Sequence, residues 1–350
     1  MRRPNAWGRQ QGVALIMVLL AMALVVTLVA GMTQLQQLRI YKASHYLAQS
    51  QGKSIAFGAE AFAEQILSKD FEDDEEDGAH VDSPDEVWAK YSAVLPYEEN
   101  GVVEVQINDL GGRINLNNLV DATGAVNELT RDRLARLLLV LDISSVHVEA
   151  LIDWIDDNDE TVNAYGAEDG VYLGMDPPYR AANQPFASVS ELRLINGMTE
   201  EAYRKLLPYV AALPVSGTTI NVNMAPAPVL QALNENLTAA QVETVVEQRE
   251  DEPFETVQDF LALPAFAGLG LNSNGLGVST NFFDVASRIT FNDRVFRLVT
   301  TIYRNPQGEM FTVRRDESQT QLITKERYQV SGDSQSQEAR DAADALGLSD

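Results

Sequence analysis

The residues Val13–Met32 read VALIMVLLAMALVVTLVAGM, twenty positions without a charge. A run of that length is long enough to cross the hydrocarbon core of a bilayer as a helix. Arg2, Arg3 and Arg9 stand before it, so the leader is expected on the cytoplasmic side and the remainder of the chain beyond the membrane. A secretory signal peptide has a shorter apolar region ending in a small-residue cleavage site. Here the run passes through Gly31 into Gln34 without an A-x-A step. The pattern then changes without breaking. No proline occurs up to Ser68, and Leu35, Leu38, Tyr41, Ala48, Ile55, Ala59, Phe62 and Ile66 recur at three- or four-residue steps or their multiples. That is the stripe of an amphipathic helix. One helix over residues 13–68 is predicted, roughly 80 Å long.

The acidic block Asp70–Asp77 (DFEDDEED), followed by Gly78 and Pro84, predicts a helix stop in a solvated loop. Val102–Ile107 has the composition of a strand, and Arg113–Leu119 of a second one after the Gly111-Gly112 turn. From about Val120 to Gly277 the period becomes helical, over Leu129–Leu141, Val148–Ile155, Ser188–Asn196, Thr199–Leu213, Pro228–Asn234, Thr238–Arg249 and Thr256–Leu263. An internal echo runs through this block. Ile114-Asn115-Leu116-Asn117 introduces one helical group and Ile220-Asn221-Val222-Asn223 another. In each group a Leu-Thr step (Leu129-Thr130, Leu237-Thr238) is expected to cap a following helix. Strand character returns in Phe282–Phe291, Arg294–Tyr303 and Met310–Arg315, with a hairpin turn at Asn305-Pro306-Gln307-Gly308. The strands on either side of the helical block are expected to complete one antiparallel sheet, with the block inserted into it. Residues 331–350 are polar and read as a flexible tail.

Charge narrows the function classes. The 350 residues hold 51 Asp plus Glu against 26 Lys plus Arg, a formal charge of −25. That surplus repels phosphate backbones and anionic lipid. Cysteine is absent, which excludes disulfides, thiolate metal sites and cysteine nucleophiles. The segments SVSELRLINGMTEEAYRKLLPYV and FETVQDFLALPAFAGLG look like helix-hairpin-helix (SAM-like) elements, which in other proteins meet DNA. From Ser188 to Leu213, however, three basic residues meet three acidic ones, and from Glu235 to Leu263 eight acidic residues face Arg249 alone. A nucleic-acid binder needs a basic footprint, so nucleic acid is not the expected partner. His45, His80 and His147 are far apart in the chain, and no G-x-S-x-G or H-E-x-x-H motif occurs. A carboxylate pair for glycoside hydrolysis is the enzymatic alternative, and no enzyme activity is expected.

Gly12, between the polar leader and the apolar run, resembles the processing site of a type IV prepilin leader. There a prepilin peptidase cuts after the glycine and Val13 becomes the mature, N-methylated start. Prepilins usually carry Glu at mature position five, and this chain has Met17. That departure, with LIDWIDDNDE, GAEDGVY, PPYRAAN and SVSELRLINGM in order between Leu151 and Met198, resembles the type II secretion protein K family over most of the chain. The resemblance implies an α+β fold: a pilin-like head, made of one long N-terminal helix and a small antiparallel sheet, interrupted by a large all-helical insertion. The implied divisions are a leader over 1–12, the helix over 13–68, head segments over 69–119 and 278–330, and the insertion over 120–277. The implied role is a minor pseudopilin that caps a periplasmic pseudopilus, initiates its assembly and serves export across the outer membrane. It would be anchored in the inner membrane, with minor pseudopilins I and J and the other pseudopilins as partners.

Between Glu149 and Asp169 lie eight carboxylates and no Lys or Arg. Like charges so close repel unless a hard cation holds them, and calcium accepts six to eight oxygens with loose geometry. Asp157, Asp159 and Glu168 fall at positions one, three and twelve of an EF-hand spacing, but Val162 stands at the sixth position where glycine is required. The loop is therefore not an EF-hand, and composition alone favours a solvated acidic loop. The family resemblance implies calcium in the head, with Asp156, Asp157, Asn158, Asp159, Glu168 and Asp169 as the candidate ligands.

Overall fold

The computed structural model describes residues 11–97, 101–291, 294–318 and 323–329. The leader before Gln11 and the polar tail lie outside them. The chain forms two compact units, residues 1–55 and 56–350.

Helix α1 spans Gln11–Asp77. Within the first unit its side chains from Gly12 to Leu47 are exposed, including Leu35, Leu38 and Tyr41. Among the described residues α1 alone is long and apolar enough to cross a membrane. Within the second unit the burial changes. Ala56, Ala59, Ala63, Ile66 and Leu67 are buried at helical spacing, with small residues at the first three positions where the helix meets the sheet. Helix α1 does not stop before the acidic block, as the charge pattern suggested, but runs through it to Asp77 and ends at Gly78, whose φ is +85°. Two acids of that block have work in the fold. Asp70 accepts from Trp88 Nε1 and Arg304, and Asp74 accepts from the Val81 amide. Bound acids do not oppose a helix as a free acidic run does.

A short helix α2 (Val87–Lys90) leads into strand β1 (Tyr91–Tyr97), which the sequence reading missed because Pro96 and polar neighbours break its alternation. Strand β2 (Gly101–Asp109) follows. The inserted block then runs through β3 (Ile114–Asn115), α3 (Glu128–Val140), α4 (Val148–Ile155), α5 (Asp169–Tyr172), α6 (Glu200–Leu206), β4 (Val210–Ala211), β5 (Ile220–Asn221), α7 (Ala227–Gln231), α8 (Ala239–Asp251), α9 (Val257–Leu261) and β6 (Leu276–Gly277). The chain returns in β7 (Phe282–Phe291), β8 (Arg294–Arg304), β9 (Met310–Asp316) and β10 (Glu326–Gln329). The main sheet has the order β10-β1-β2-β7-β8-β9. Strands β2 and β7 are antiparallel neighbours, with Asp109 opposite Phe283, so the whole block is inserted between two paired strands. The sheet is not wholly antiparallel, since β10 joins β1 in parallel. Glu60 on α1 ties down the far edge. Its carboxylate accepts from Thr300 Oγ1 (2.7 Å) on β8 and from Arg315 Nε (2.9 Å) and Thr312 Oγ1 (3.2 Å) on β9.

The block is not all helical. Two parallel strand pairs, β3 with β4 and β5 with β6, each close one helical module. The echo in the sequence is a structural repeat. Asn117 accepts from the Phe186 amide and donates to the Phe186 and Leu213 carbonyls. Asn223 does the same for Phe254, accepting from its amide and donating to its carbonyl. Each is braced in turn, because its own amide donates to Asn115 or Asn221. Each phenylalanine precedes a capping box, Ser188 with Glu191 and Thr256 with Asp259. Thr238 caps α8 as expected, but Thr130 does not cap α3; Asn127 does, accepting from the Thr130 amide. Ser188–Asn196 forms a 3-10 helix at Val189–Leu194, and the predicted helix to Leu213 ends at Leu206 before β4. One buried core runs through both modules, from Leu116, Leu134 and Leu151 to Tyr172, Val229 and Phe260.

Candidate calcium site

Helix α4 is apolar on most sides and ends in Asp153, Trp154 and Ile155, which are buried, as is Asp156 just beyond it. Trp154 packs edge-on against Tyr172 at 5.2 Å and also meets Tyr179. This aromatic cluster anchors the end of the helix, so Asp153 and Asp156, three residues apart on one face, are carried inside with it. Tyr165 belongs elsewhere, against His147.

The loop from Asp157 to Ala167 wraps over the two aspartates. Asp153 Oδ1 accepts from the Val162 amide at 3.0 Å, while its Oδ2 is buried without a partner. Gly166 passes so close that a Cβ there would lie 2.0 Å from Asp153 Oδ2. Only glycine allows that approach. Glu168, 6% exposed, comes up beside them with both carboxylate oxygens buried and unpartnered. Burial pushes Glu168 up to about 7, and the charges of Asp153, Asp156 and Asp159 add to the rise. Burial likewise raises Asp153 and Asp156. Asn183, with φ of 45°, donates to Asp159 Oδ1 at 3.2 Å and to the Asn158 carbonyl, leaving its own Oδ1 buried and unpartnered.

From the expected set, Asp156 and the exposed Asp159 act through their charge on Glu168, as Asp153 does, and Asn183 holds Asp159. Asp157 is exposed, and Asn158 Oδ1 accepts from the Glu160 amide. Asp169 is engaged by Arg180 and by the Ala181 amide. Asp153 was missed because it reads as part of a helix; its i, i+3 spacing to Asp156 was the available signal. Orphaned buried oxygens on Asp153, Glu168 and Asn183, two carboxylates and one neutral amide, are hard donors of the kind calcium accepts.

A second carboxylate cluster was not foreseen. Asp70, Asp82 and Glu86 bring ligand oxygens within 4.8 Å of one another. This one already has its cation. Arg304, 3% exposed, donates to Asp70 Oδ2 at 3.1 Å and to Asp82 Oδ1 and Oδ2 at 2.5 and 2.6 Å. Its ties join α1, the segment before α2 and β8. The hairpin-like elements have their cations engaged in a similar way. Arg193 and Arg204 pair with Glu200, Lys205 pairs with Glu201, and Arg249 is buried against the Val222 and Ala225 carbonyls.

The two modules coincide with two family matches. Both carry the description type II secretion system (T2SS), protein K, one over residues 112–215 and the other over 220–279. The type II secretion system protein K of Pseudomonas aeruginosa is 36% identical over 315 residues, covering 89% of this chain and 93% of that protein. The chain belongs to the type II secretion system protein K family. The relative from Pectobacterium carotovorum subsp. carotovorum is 35% identical over 69% of this chain and 76% of its own length. Among solved structures, the GspK-GspI-GspJ complex from the type 2 secretion system of enterotoxigenic Escherichia coli contains a chain that matches with a TM-score of 0.71 and 27% identity. That match covers 80% of this chain and all of the other. The expected α+β pilin-like fold is thereby shown, with a long helix, a small sheet and an inserted block, and the family is one of pseudopilins. The family works in protein secretion, and helix α1 is long and apolar enough to cross a membrane.

Proposed function

We propose that this chain caps the tip of a periplasmic pseudopilus and initiates its assembly with minor pseudopilins I and J, from a single inner-membrane anchor. The observation that carries the reading is the likeness to a chain solved in complex with GspI and GspJ. Exposed apolar side chains along the first unit of α1 support it, because such a face needs lipid or neighbouring helices. Met17 supports the tip position. A glutamate at mature position five serves to neutralise the amine of the subunit above, and a buried carboxylate without that partner is costly. A subunit with nothing above it has no use for one. The inserted block adds bulk to the head that a repeating unit would have to accommodate. Cleavage by a prepilin peptidase after Gly12 would leave Val13 as the N-terminus.

Asp153, Asp156, Asp159 and Glu168 would hold calcium, which supplies the positive charge that lets these carboxylates pack together. The protein acts here as a structural subunit, not an enzyme. Labelling the head in assembled pseudopili tests the proposal. Label at one end is expected, and label along the shaft refutes the cap. Intact mass of the membrane-extracted chain tests the processing, with a start at Val13 expected and a start near Gly31 excluding the anchor. Charged substitutions at Leu35 or Leu38 should weaken co-purification with pseudopilins I and J.

A further inference from the structure

At the seam between the two modules lies a cavity of about 210 Å³. Its walls come from both sides: Asn115 and Asn118 of the first module, the opening turn of α3, and Thr218, Ile220 and Gly275 of the second. Arg133 lines it and is 5% exposed. The guanidinium donates from Nη1 to the Gly275 carbonyl at 3.2 Å and from Nη2 to the Asn274 carbonyl at 2.7 Å, while its Nε is buried without a partner. A guanidinium carries five N–H donors, so three remain. Neutral carbonyls satisfy donors without cancelling charge. Among the described residues no carboxylate pairs with Arg133, and the nearby charge that acts on it is a second cation, Arg136. Burial and then Arg136 pull Arg133 down to about 10, which still leaves it charged at neutral pH. A buried cation without a counter-charge is costly.

The other walls are consistent with an anion. The cavity meets α3, a helix of thirteen residues, at its N-terminal end, where Asn127, Leu129 and Thr130 line it. That end of a helix carries the positive pole of the macrodipole. The asparagine walls are held rigid by their own bonds. Asn115 Nδ2 donates to the Val215 carbonyl at 2.7 Å and Asn118 Nδ2 to the Thr218 carbonyl at 2.8 Å. They shape the space and leave Arg133 as the donor that a ligand would find.

We infer that this cavity binds a small oxyanion, of the carboxylate or sulfate class, through the free donors of Arg133 at the N-terminal end of α3. Its volume excludes a large organic ligand, since pockets for those run to roughly 300–1,000 Å³. A bound oxyanion cancels the buried charge and touches both modules at once, so it fastens the repeat across its seam. The same chemistry is offered by a free anion and by the C-terminal carboxylate of a neighbouring chain.

The test uses the full chain in detergent at fixed free calcium, with sodium acetate or sulfate compared with chloride at equal ionic strength. At about ten times its dissociation constant, the oxyanion should raise the melting temperature by roughly 3–6 °C over chloride. Arg133→Met should lose that response. Should that variant not fold, Leu129→Glu serves instead. Leu129 is 36% exposed at the rim, an acid in the first turn of a helix is well tolerated, and at i, i+4 to Arg133 the new carboxylate supplies the counter-charge that the oxyanion would otherwise bring. Its response to acetate and sulfate should vanish. No difference between oxyanion and chloride in the parent chain, or an undiminished response in Leu129→Glu, overturns the inference. Titration calorimetry separates the sources. A blocked dipeptide with a free C-terminus that binds at least about tenfold tighter than acetate points to a neighbouring chain, and equal affinities point to a free ion.

Discussion

Glu86→Gln should stabilise the head, and more so as the pH rises. In the parent chain Glu86 Oε1 accepts from the Ser83 amide at 2.7 Å, and the other half of its carboxyl lies with Asp70 and Asp82. One arginine, Arg304, pairs with Asp70 and Asp82. Burial, then the charges of Asp70 and Asp82, push Glu86 up to about 10 from an ordinary 4.5. It is therefore protonated in the fold at neutral pH, and its buried Oε2, which has no partner as a carboxylate oxygen, then carries a proton that it can donate to Asp70. A group whose folded value is raised contributes its stability fully below the unfolded value. That stability is lost as the pH climbs through the folded value. At pH 7 the unfolded glutamate is ionised, so refolding must protonate it, at a cost of up to about 3 kcal/mol; at pH 5 the same cost is under about 1 kcal/mol. Glutamine keeps the acceptor for Ser83 and supplies a permanent N–H for Asp70, without the titration. The melting temperatures of variant and parent should nearly coincide at pH 5. The variant should lead by roughly 4–10 °C at pH 7. Thermal unfolding of the full chain in detergent between pH 5 and 8 measures this. Parallel curves for the two proteins, or a variant less stable throughout, would refute a neutral Glu86.

Arg304→Met should cost about 3–5 kcal/mol in urea unfolding, because it leaves Asp70 and the fully buried Asp82 (0% exposed) without their cation. Asn117→Ala should cost about 2–4 kcal/mol and Asn223→Ala somewhat less, since Asn117 bridges Phe186 and Leu213 while Asn223 holds Phe254 alone; equal effects would argue against that order. Chelation should lower the melting temperature of the parent chain if calcium binds the Asp153 and Glu168 oxygens. Glu168→Gln should reverse the sign, melting higher than the parent in chelator because it removes a buried repelling charge, and lower than the parent in excess calcium. A melting curve indifferent to both calcium and chelator would return the loop to a solvated acidic segment.

Much of the fold was legible along the chain because it rests on local periodicity. The apolar run from Val13, the helix Val148–Ile155 and the strand Phe282–Phe291 were all readable, the last two to the residue. The repeat was legible as two Ile-Asn-x-Asn signatures, although not what it was for. The acidic block Asp70–Asp77 was misread because its neighbours in sequence are other acids, whereas Asp70 meets a partner on β8, Arg304, far away in the chain. Strand β10 and the parallel pairing to β1 were hidden for the same reason, since a parallel partner leaves no hairpin turn to mark it.

In the candidate calcium site, local sequence gave the carboxylates and tertiary structure chose among them. Composition placed eight acids in one stretch, and no spacing rule separated Asp169, which faces Arg180, from Glu168, whose oxygens stay inside. Adjacent residues on a turn point in different directions, so one step along the chain can decide between an ion pair and a buried acid. Asp153 was called inward by the packing of Trp154 on Tyr172, a contact between segments that periodicity does not see. What the sequence by itself determined was hydrophobic period, charge and family, each a property of neighbouring residues. Which charges are paired, and which are buried with nothing opposite, was decided only by the long-range packing that brings distant segments together.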